Sequence, residues 1–211
     1  MGGRVARQPG ITDRQRAALA RVSGVLPASA YLAGGVAVAL RCGHRSSVDL
    51  DLFTPEDPIE TSLPALERLE GVTITLRKPR TLYLEIEGVP VSLLAYDYPH
   101  LAPPERIEGL PVPLASVPDL VTMKLSAIAD RGARRDFWDL HELFELDAIS
   151  LEAALELQSR RYPRYDIGHV VRALVYFADG ETSPLLEGLS EERWDAIKTD
   201  FRTWVRAYAS R

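Results

Sequence analysis

YLAGGVAVALRCGHRSSVDLDLF, residues 31–53, joins a Gly-Gly pair to an Asp-Leu-Asp run through a short helical segment. Tyr31 to Ala33 reads as a short strand that breaks at Gly34-Gly35. An amphipathic run from Val36 to Leu40 ends at Gly43. After a polar turn (His44, Arg45, Ser46, Ser47) a second strand is predicted over Val48 to Phe53. That strand carries Asp49 and Asp51, which at a spacing of two project from one face. Adjacent carboxylates repel, so such a pair serves to hold a divalent cation. A turn without Cβ atoms lets backbone N–H groups approach a ligand at the start of the following helix, a phosphate-binding geometry. Strand, Gly-Gly, helix and D-x-D together place a nucleotide's phosphates between a helix start and a carboxylate-bound Mg²⁺.

Upstream, Thr12 to Leu26 has helical spacing with Thr12 as N-cap, stopped by Pro27. Downstream, a helix is expected from about Ile59 to Leu69, closed by Gly71. Strands follow at Val72 to Arg77, around Leu82, Leu84 and Ile86, and at Val89 to Ala95. If Glu87-Gly88 is a two-residue turn, Ile86 pairs with Val89, and Tyr83 and Glu85 share a face with Ser92 and Pro90. The stretch from Tyr98 to Pro113 is proline-rich, an extended connector ending in a short strand, Leu110 to Leu114.

Ser116 to Asp130 is a predicted helix with an apolar stripe of Val117, Leu120, Val121, Ala127 and Ile128. Asp119, Thr122, Ser126 and Asp130 lie opposite. Lys124 falls within the stripe, and a core-facing lysine needs a negative partner; Arg131 follows on the same stripe. In the next helix Asp136 points inward with Leu140 and Leu143, while Asp139 lies nearer the edge. Further helices are expected over Leu151 to Arg161, Ile167 to Phe177, and Glu191 to Ala209, the last with Ser190 as half a capping box.

The 211 residues suffice for one core plus a smaller helical part. No long uncharged apolar run is present, so no membrane contact is expected. Met1 to Gly10 is polar and Arg-bearing, so no secretory leader is expected and a cytoplasmic location follows. Lone Cys42 permits no internal disulfide. A net charge of −5 argues against a general nucleic-acid binder. Basic clusters at Arg131, Arg134 and Arg135, and at Arg160, Arg161, Arg164 and Arg172, read first as solvated helix faces and second as phosphate contacts. Tyr162, Tyr165 and Tyr176 read as helix packing before base stacking.

Taken together, the Gly-Gly and D-x-D elements resemble the nucleotidyltransferase superfamily with the polymerase-β-like active site. The AbiEii/AbiGii toxin branch is more similar still. Its AGG-T-x-LAL and HR-x-S-x-DLD-x-F segments match Ala33 to Leu40 and His44 to Phe53, with Val36 in place of Thr. A second segment resembles the branch's K-L-x-A-x-x-x-R and R-D-x-x-D-L: Lys124, Leu125, Ala127, Arg131, then Arg135, Asp136, Asp139 and Leu140. The resemblance spans Tyr31 to Leu146, and the last third carries no assignable motif. It implies an α+β fold: a polymerase-β-like nucleotidyltransferase core (residues 1–115), a small mixed sheet flanked by helices, with a C-terminal helical bundle (116–211) packed on it. The superfamily's third carboxylate falls on Val91-Ser92-Leu93, where this chain has Ser92. Either two carboxylates suffice with phosphates and water, or another acid substitutes, Glu85 before Asp97.

The expected activity is Mg²⁺-dependent (or Mn²⁺-dependent) transfer of a nucleoside monophosphate from an NTP to an acceptor, with release of pyrophosphate. Asp49 and Asp51 are the expected metal ligands. Gly34, Gly35, Arg45, Ser47 and Arg131 form the expected phosphate-binding set, and Lys124 and Asp136 join the two metal ligands as catalytic residues. By resemblance the acceptor is a tRNA end, with a protein as the alternative, and a cognate antitoxin is implied. A catalytically degenerate nucleotide- or partner-binding protein is the alternative, motivated by Ser92 and opposed by retention of the D-x-D pair. A haloacid-dehalogenase-type phosphatase fits poorly, because Phe53 occupies the fifth position of D-x-D-x-[TV] and no apolar run precedes Asp49.

Overall fold

The computed structural model describes residues 10–210, so most of the polar N-terminal stretch read for a leader lies outside the described residues. Two compact units divide between Ser116 and Val117.

The first unit is built on a five-stranded mixed sheet in the order β1-β2-β5-β4-β3. β1 (Tyr31–Ala33) and β2 (Leu50–Thr54) are antiparallel, β2 and β5 (Val89–Ala95) parallel, and β5, β4 (Thr81–Ile86) and β3 (Val72–Lys78) antiparallel. Alternation along the strands sorts the two faces. Leu50, Leu52, Leu82, Leu84, Ile86, Val91 and Leu93 are buried, and Asp51, Tyr83 and Glu85 occupy the alternate positions. The hairpin turn is as expected: Ile86 pairs with Val89, and Glu87 and Gly88 take φ of +52° and +77°, as a type I′ turn requires. Helix α1 (Asp13–Ser23) starts with a capping box between Thr12 and Gln15. The Gln15 amide also donates to the carbonyls of Ser47 and Val48 at 2.7 and 2.9 Å, tying α1 to the approach to β2.

Three local expectations are corrected. β2 begins at Leu50, with Val48 exposed and Asp49 outside the ladder, because Val48 meets no strand on either side. The helix expected over Ile59–Leu69 is two single turns, α3 (Pro58–Thr61) and α4 (Leu63–Leu66), since Pro64 cannot continue the hydrogen-bond ladder. Leu110–Leu114 forms no strand; Leu114 makes isolated bridges to Leu32 and Glu105 instead. The Leu32 N–H donates to the Pro113 carbonyl and the Leu32 carbonyl accepts from the Ala115 N–H, so the connector covers the outer edge of β1.

The second unit is helical: α5 (Val117–Arg131), α6 (Arg134–Asp147), α7 (Leu151–Arg161), α8 (Ile167–Ala173), α9 (Ala178–Glu181) and α10 (Glu191–Ala209). Ser190 caps α10 through the Arg193 N–H, and Trp194, Ile197 and Phe201 form its buried stripe. Phe137 meets Trp194 and Phe201 edge-on at 5.9 and 5.4 Å. The run read as one helix over Ile167–Phe177 stops at Ala173.

Of the basic clusters read as solvated, Arg131, Arg135, Arg160, Arg164 and Arg172 are exposed, but Arg134 and Arg161 are not. Arg161 is fully buried, donating to Asp119 Oδ1 at 2.6 Å and to Thr122 Oγ1 at 3.0 Å, so the polar side of α5 is covered by α7. Arg134 is buried over the Trp194 ring. Tyr162 is buried as packing, Tyr165 donates to Asp130, and Tyr176 is exposed.

Replacing Gln15 by Ala removes one cap partner and leaves two carbonyls without their donor. Urea unfolding should show a loss of about 1–3 kcal/mol at unchanged m-value.

Candidate active site

β1 runs into helix α2 (Gly34–Cys42) without a loop, and Gly34 and Gly35 are the first two helical residues. Their N–H groups therefore lie in the first turn, where the helix supplies no acceptor. Gly34 takes φ of +64°, a left-handed conformation that glycine adopts at no steric cost. A Cβ on Gly34 would stand 2.1 Å from Asp51 Oδ2; one on Gly35 would stand 2.5 Å from Ser47 Oγ and 2.9 Å from Arg45 Nη2. The structure thus gathers Gly34, Gly35, Arg45, Ser47 and Asp51 into one cradle. Arg45 is buried, its Nη1 donating to the Ser46 carbonyl at 2.9 Å. At the far end of α2, Gly43 closes the helix in the left-handed conformation.

Asp51 is half-buried and pairs with Ala33 on one side and Ser92 on the other. The Ser92 hydroxyl donates to Asp51 Oδ1 at 2.6 Å. Tyr83 pairs with Ser92 in turn, so Asp51, Ser92 and Tyr83 stand in a row across the sheet. Asp49 is exposed, one residue ahead of β2. Neither acid expected to stand in for a third carboxylate does so. Glu85, on β4, pairs with Pro90 of β5 and so stands two strands from β2, about 10 Å away by strand spacing, and Asp97 lies past the end of β5. Among the described residues, no three His, Cys, Asp or Glu side chains form a metal-sized group.

In the helical unit, Lys124, Arg131 and Asp136 come together with Asp139. Lys124 Nζ lies 3.0 Å from Asp136 Oδ1 and 2.7 Å from Asp139 Oδ2. Arg131 grips Asp136 with Nε and Nη2 at 2.7 and 2.9 Å. Both carboxylates and the lysine are buried, and the Arg131 side chain is 51% exposed. Asp139 is thus a full member of the cluster, against the expectation of an edge position. Burial alone pushes the Lys124 ammonium down, but Asp139 and Asp136 outweigh it and hold its pKa above the usual lysine value. Burial likewise pushes Asp136 up, and Lys124 and Arg131 outweigh it, leaving the carboxyl below its ordinary range.

The sequence also underplays two groups. Thr12-x-x-Gln15 is a legible capping box, but its bond to the Ser47–Val48 loop is a tertiary fact. Ser92 is legible only as a missing carboxylate, and its donation to Asp51 follows from strand register.

A depressed Asp136 contributes stability that is complete above about pH 4 and lost as pH falls through its lowered pKa. A raised Lys124 contributes stability that is complete below about pH 10 and lost as pH rises through its raised value. Asp136→Asn should flatten the acid limb of a Tm-against-pH curve and cost about 3–5 kcal/mol at neutral pH. An unchanged acid limb would remove Asp136 from that role.

A family model described as "Nucleotidyl transferase AbiEii toxin, Type IV TA system" matches residues 72–208. An uncharacterized protein of Aquifex aeolicus (strain VF5) is 34% identical over 181 residues, 84% of this chain and 87% of that one. The fold is also similar to the nucleotidyltransferase toxin MenT4 from Mycobacterium tuberculosis (17% identity, 91% of this chain and 81% of that one, TM-score 0.57). It is similar, too, to a putative nucleotidyltransferase from H. pylori (19% identity, 90% of this chain and 92% of that one, TM-score 0.55). No helix among the described residues is long and apolar enough to cross a membrane. The family match takes in the last third of the chain, where no motif is assignable from sequence. With the sheet, the Gly-Gly helix start and the helical unit all in place, this chain belongs to the AbiEii family of nucleotidyltransferase toxins.

Proposed function

We propose that this protein transfers a nucleoside monophosphate from an NTP to an acceptor hydroxyl, with a tRNA end as acceptor, and releases pyrophosphate. The observation that carries this reading is the convergence of Ser47 Oγ, Arg45 Nη2 and the Asp51 carboxylate on the first two residues of α2. Few other chemistries call for backbone N–H donors, a guanidinium, a hydroxyl and a metal-binding carboxylate at one helix start.

The α2 N–H groups, the Ser47 hydroxyl and the Arg45 guanidinium hold the β- and γ-phosphates. Asp49 and Asp51 would hold Mg²⁺ or Mn²⁺, which would supply Lewis-acid stabilisation of the phosphates and a lowered pKa for the attacking hydroxyl. Lys124, Arg131 and Asp136 are the helical unit's contribution to phosphate chemistry. Arg131 carries the exposed positive charge. Asp136 has both oxygens engaged by Lys124 and Arg131, which supports an orienting role rather than that of acceptor base. A cytoplasmic location and a cognate antitoxin complete the reading, the antitoxin resting on the toxin family alone.

The test is incubation of the purified protein with each α-³²P-labelled NTP, Mg²⁺ and total RNA. Label is expected on RNA of tRNA size and is expected to vanish in Asp49→Ala and Asp51→Ala. Each carboxylate removed should lower the rate by at least about a hundredfold, the scale of one lost charge-stabilising group. Label on protein would move the acceptor to protein. No transfer with Mg²⁺-dependent NTP binding retained would favour the non-catalytic reading, to which the neutral Ser92 beside Asp51 lends weight.

A further inference from the structure

The hydroxyl at Ser92 faces Asp51 in register on the parallel β2–β5 ladder and donates to it at 2.6 Å. Ser92 is itself buried. Gly34 lies against the other oxygen, with room for no Cβ between them. The Asp51 carboxylate therefore has a donor on one oxygen and the Cβ-free Gly34 close against the other. Asp49, outside the strand, has no comparable clamp in the ladder.

Charge and ligand supply follow from this arrangement. The sheet face offers the Asp51 carboxylate, Asp49 stands just ahead of β2, and no group of three or more acidic, His or Cys side chains forms among the described residues. Ser92 has committed its hydrogen to Asp51, so it presents only neutral lone pairs, no better for a hard cation than water. One divalent cation offsets two carboxylates, completing its shell with phosphate oxygens and water. A second would have to be held by phosphate and water without a carboxylate of its own.

We infer that Ser92 is a positioning residue that fixes Asp51 for a single divalent cation, so that the nucleotide-bound site takes one Mg²⁺ or Mn²⁺ and not two. This rests on the nucleotidyltransferase reading above. Ser92 acts through Asp51, not on substrate. Its hydroxyl holds the carboxylate in one orientation, and a charge-assisted bond of this kind is strong enough to decide that orientation.

The test is a Mn²⁺ titration of the full chain with a non-hydrolysable α,β-methylene ATP analogue, read by electron paramagnetic resonance as ions bound per protein–nucleotide complex. The wild type is expected to bind one. Ser92→Ala should still bind one, with Mn²⁺ affinity about tenfold weaker at a thermal midpoint close to wild type, and Ser92→Thr should restore the affinity. Ser92→Asp, which supplies the missing carboxylate, should bind two. Two ions per wild-type complex would overturn the inference while leaving the nucleotidyltransferase reading intact. Unchanged Mn²⁺ affinity in Ser92→Ala would also overturn it. No Mn²⁺ bound by wild type with nucleotide would overturn the reading on which the inference rests.

Discussion

Asp51 can stand where it does only because three separate segments agree on its place. β2 is hydrogen-bonded on both sides, antiparallel to β1 and parallel to β5, and its alternation sends Leu50 and Leu52 into the core and Asp51 to the other face. A slip of one residue would bury the carboxylate and expose both leucines. The α2 start must then bring a residue without Cβ against Oδ2, and β5 must bring a donor against Oδ1; Gly34 and Ser92 meet those demands. Gln15, from a helix far back in the chain, fixes the loop by which β2 is approached. The proposed chemistry is thus a property of register as much as of residue type.

The helical unit solves a different problem. Two cations, Lys124 and Arg131, meet two buried carboxylates, Asp136 and Asp139, so the cluster is neutral. A second ion pair, Arg161 with Asp119, lies wholly inside. Buried pairs add little net stability over well-packed apolar residues, but breaking one leaves an unpaired charge in a low dielectric. Such pairs therefore fix which helix faces which. In the Lys124 cluster only Arg131 reaches solvent to any extent, which makes it the group through which this cluster presents positive charge.

How much of this was legible in the sequence depended on whether the deciding signal was local. The strand–Gly-Gly–helix–D-x-D order, the Glu87-Gly88 hairpin and the bounds of α7 and α10 rest on turn chemistry, caps and periodicity within a few residues, and they read correctly. Val48 looked like strand because a β-branched residue next to Asp-Leu-Asp-Leu keeps the alternation, yet pairing, which only the partner strands decide, begins at Leu50. Asp119 and Thr122 looked solvated because one helix projected alone has an outside; α7 covers it with Arg161. Asp139 looked peripheral for the same reason. The cradle was legible in its members but not in its contacts: the residues converging on Gly34 and Gly35 were on the expected roster, while the Ser92 donor appeared from sequence only as a departure from the superfamily's third carboxylate.

The central claim is that the start of α2, beside Asp51, is where the triphosphate binds. The most direct measurement is an NMR titration of ¹⁵N-labelled protein with a non-hydrolysable NTP, with and without Mg²⁺. The account predicts that the Gly34 and Gly35 amides move first and furthest, that the shifts need Mg²⁺, and that they vanish in Asp51→Ala. Shifts that spare both glycines, or that persist unchanged in Asp51→Ala, would contradict it.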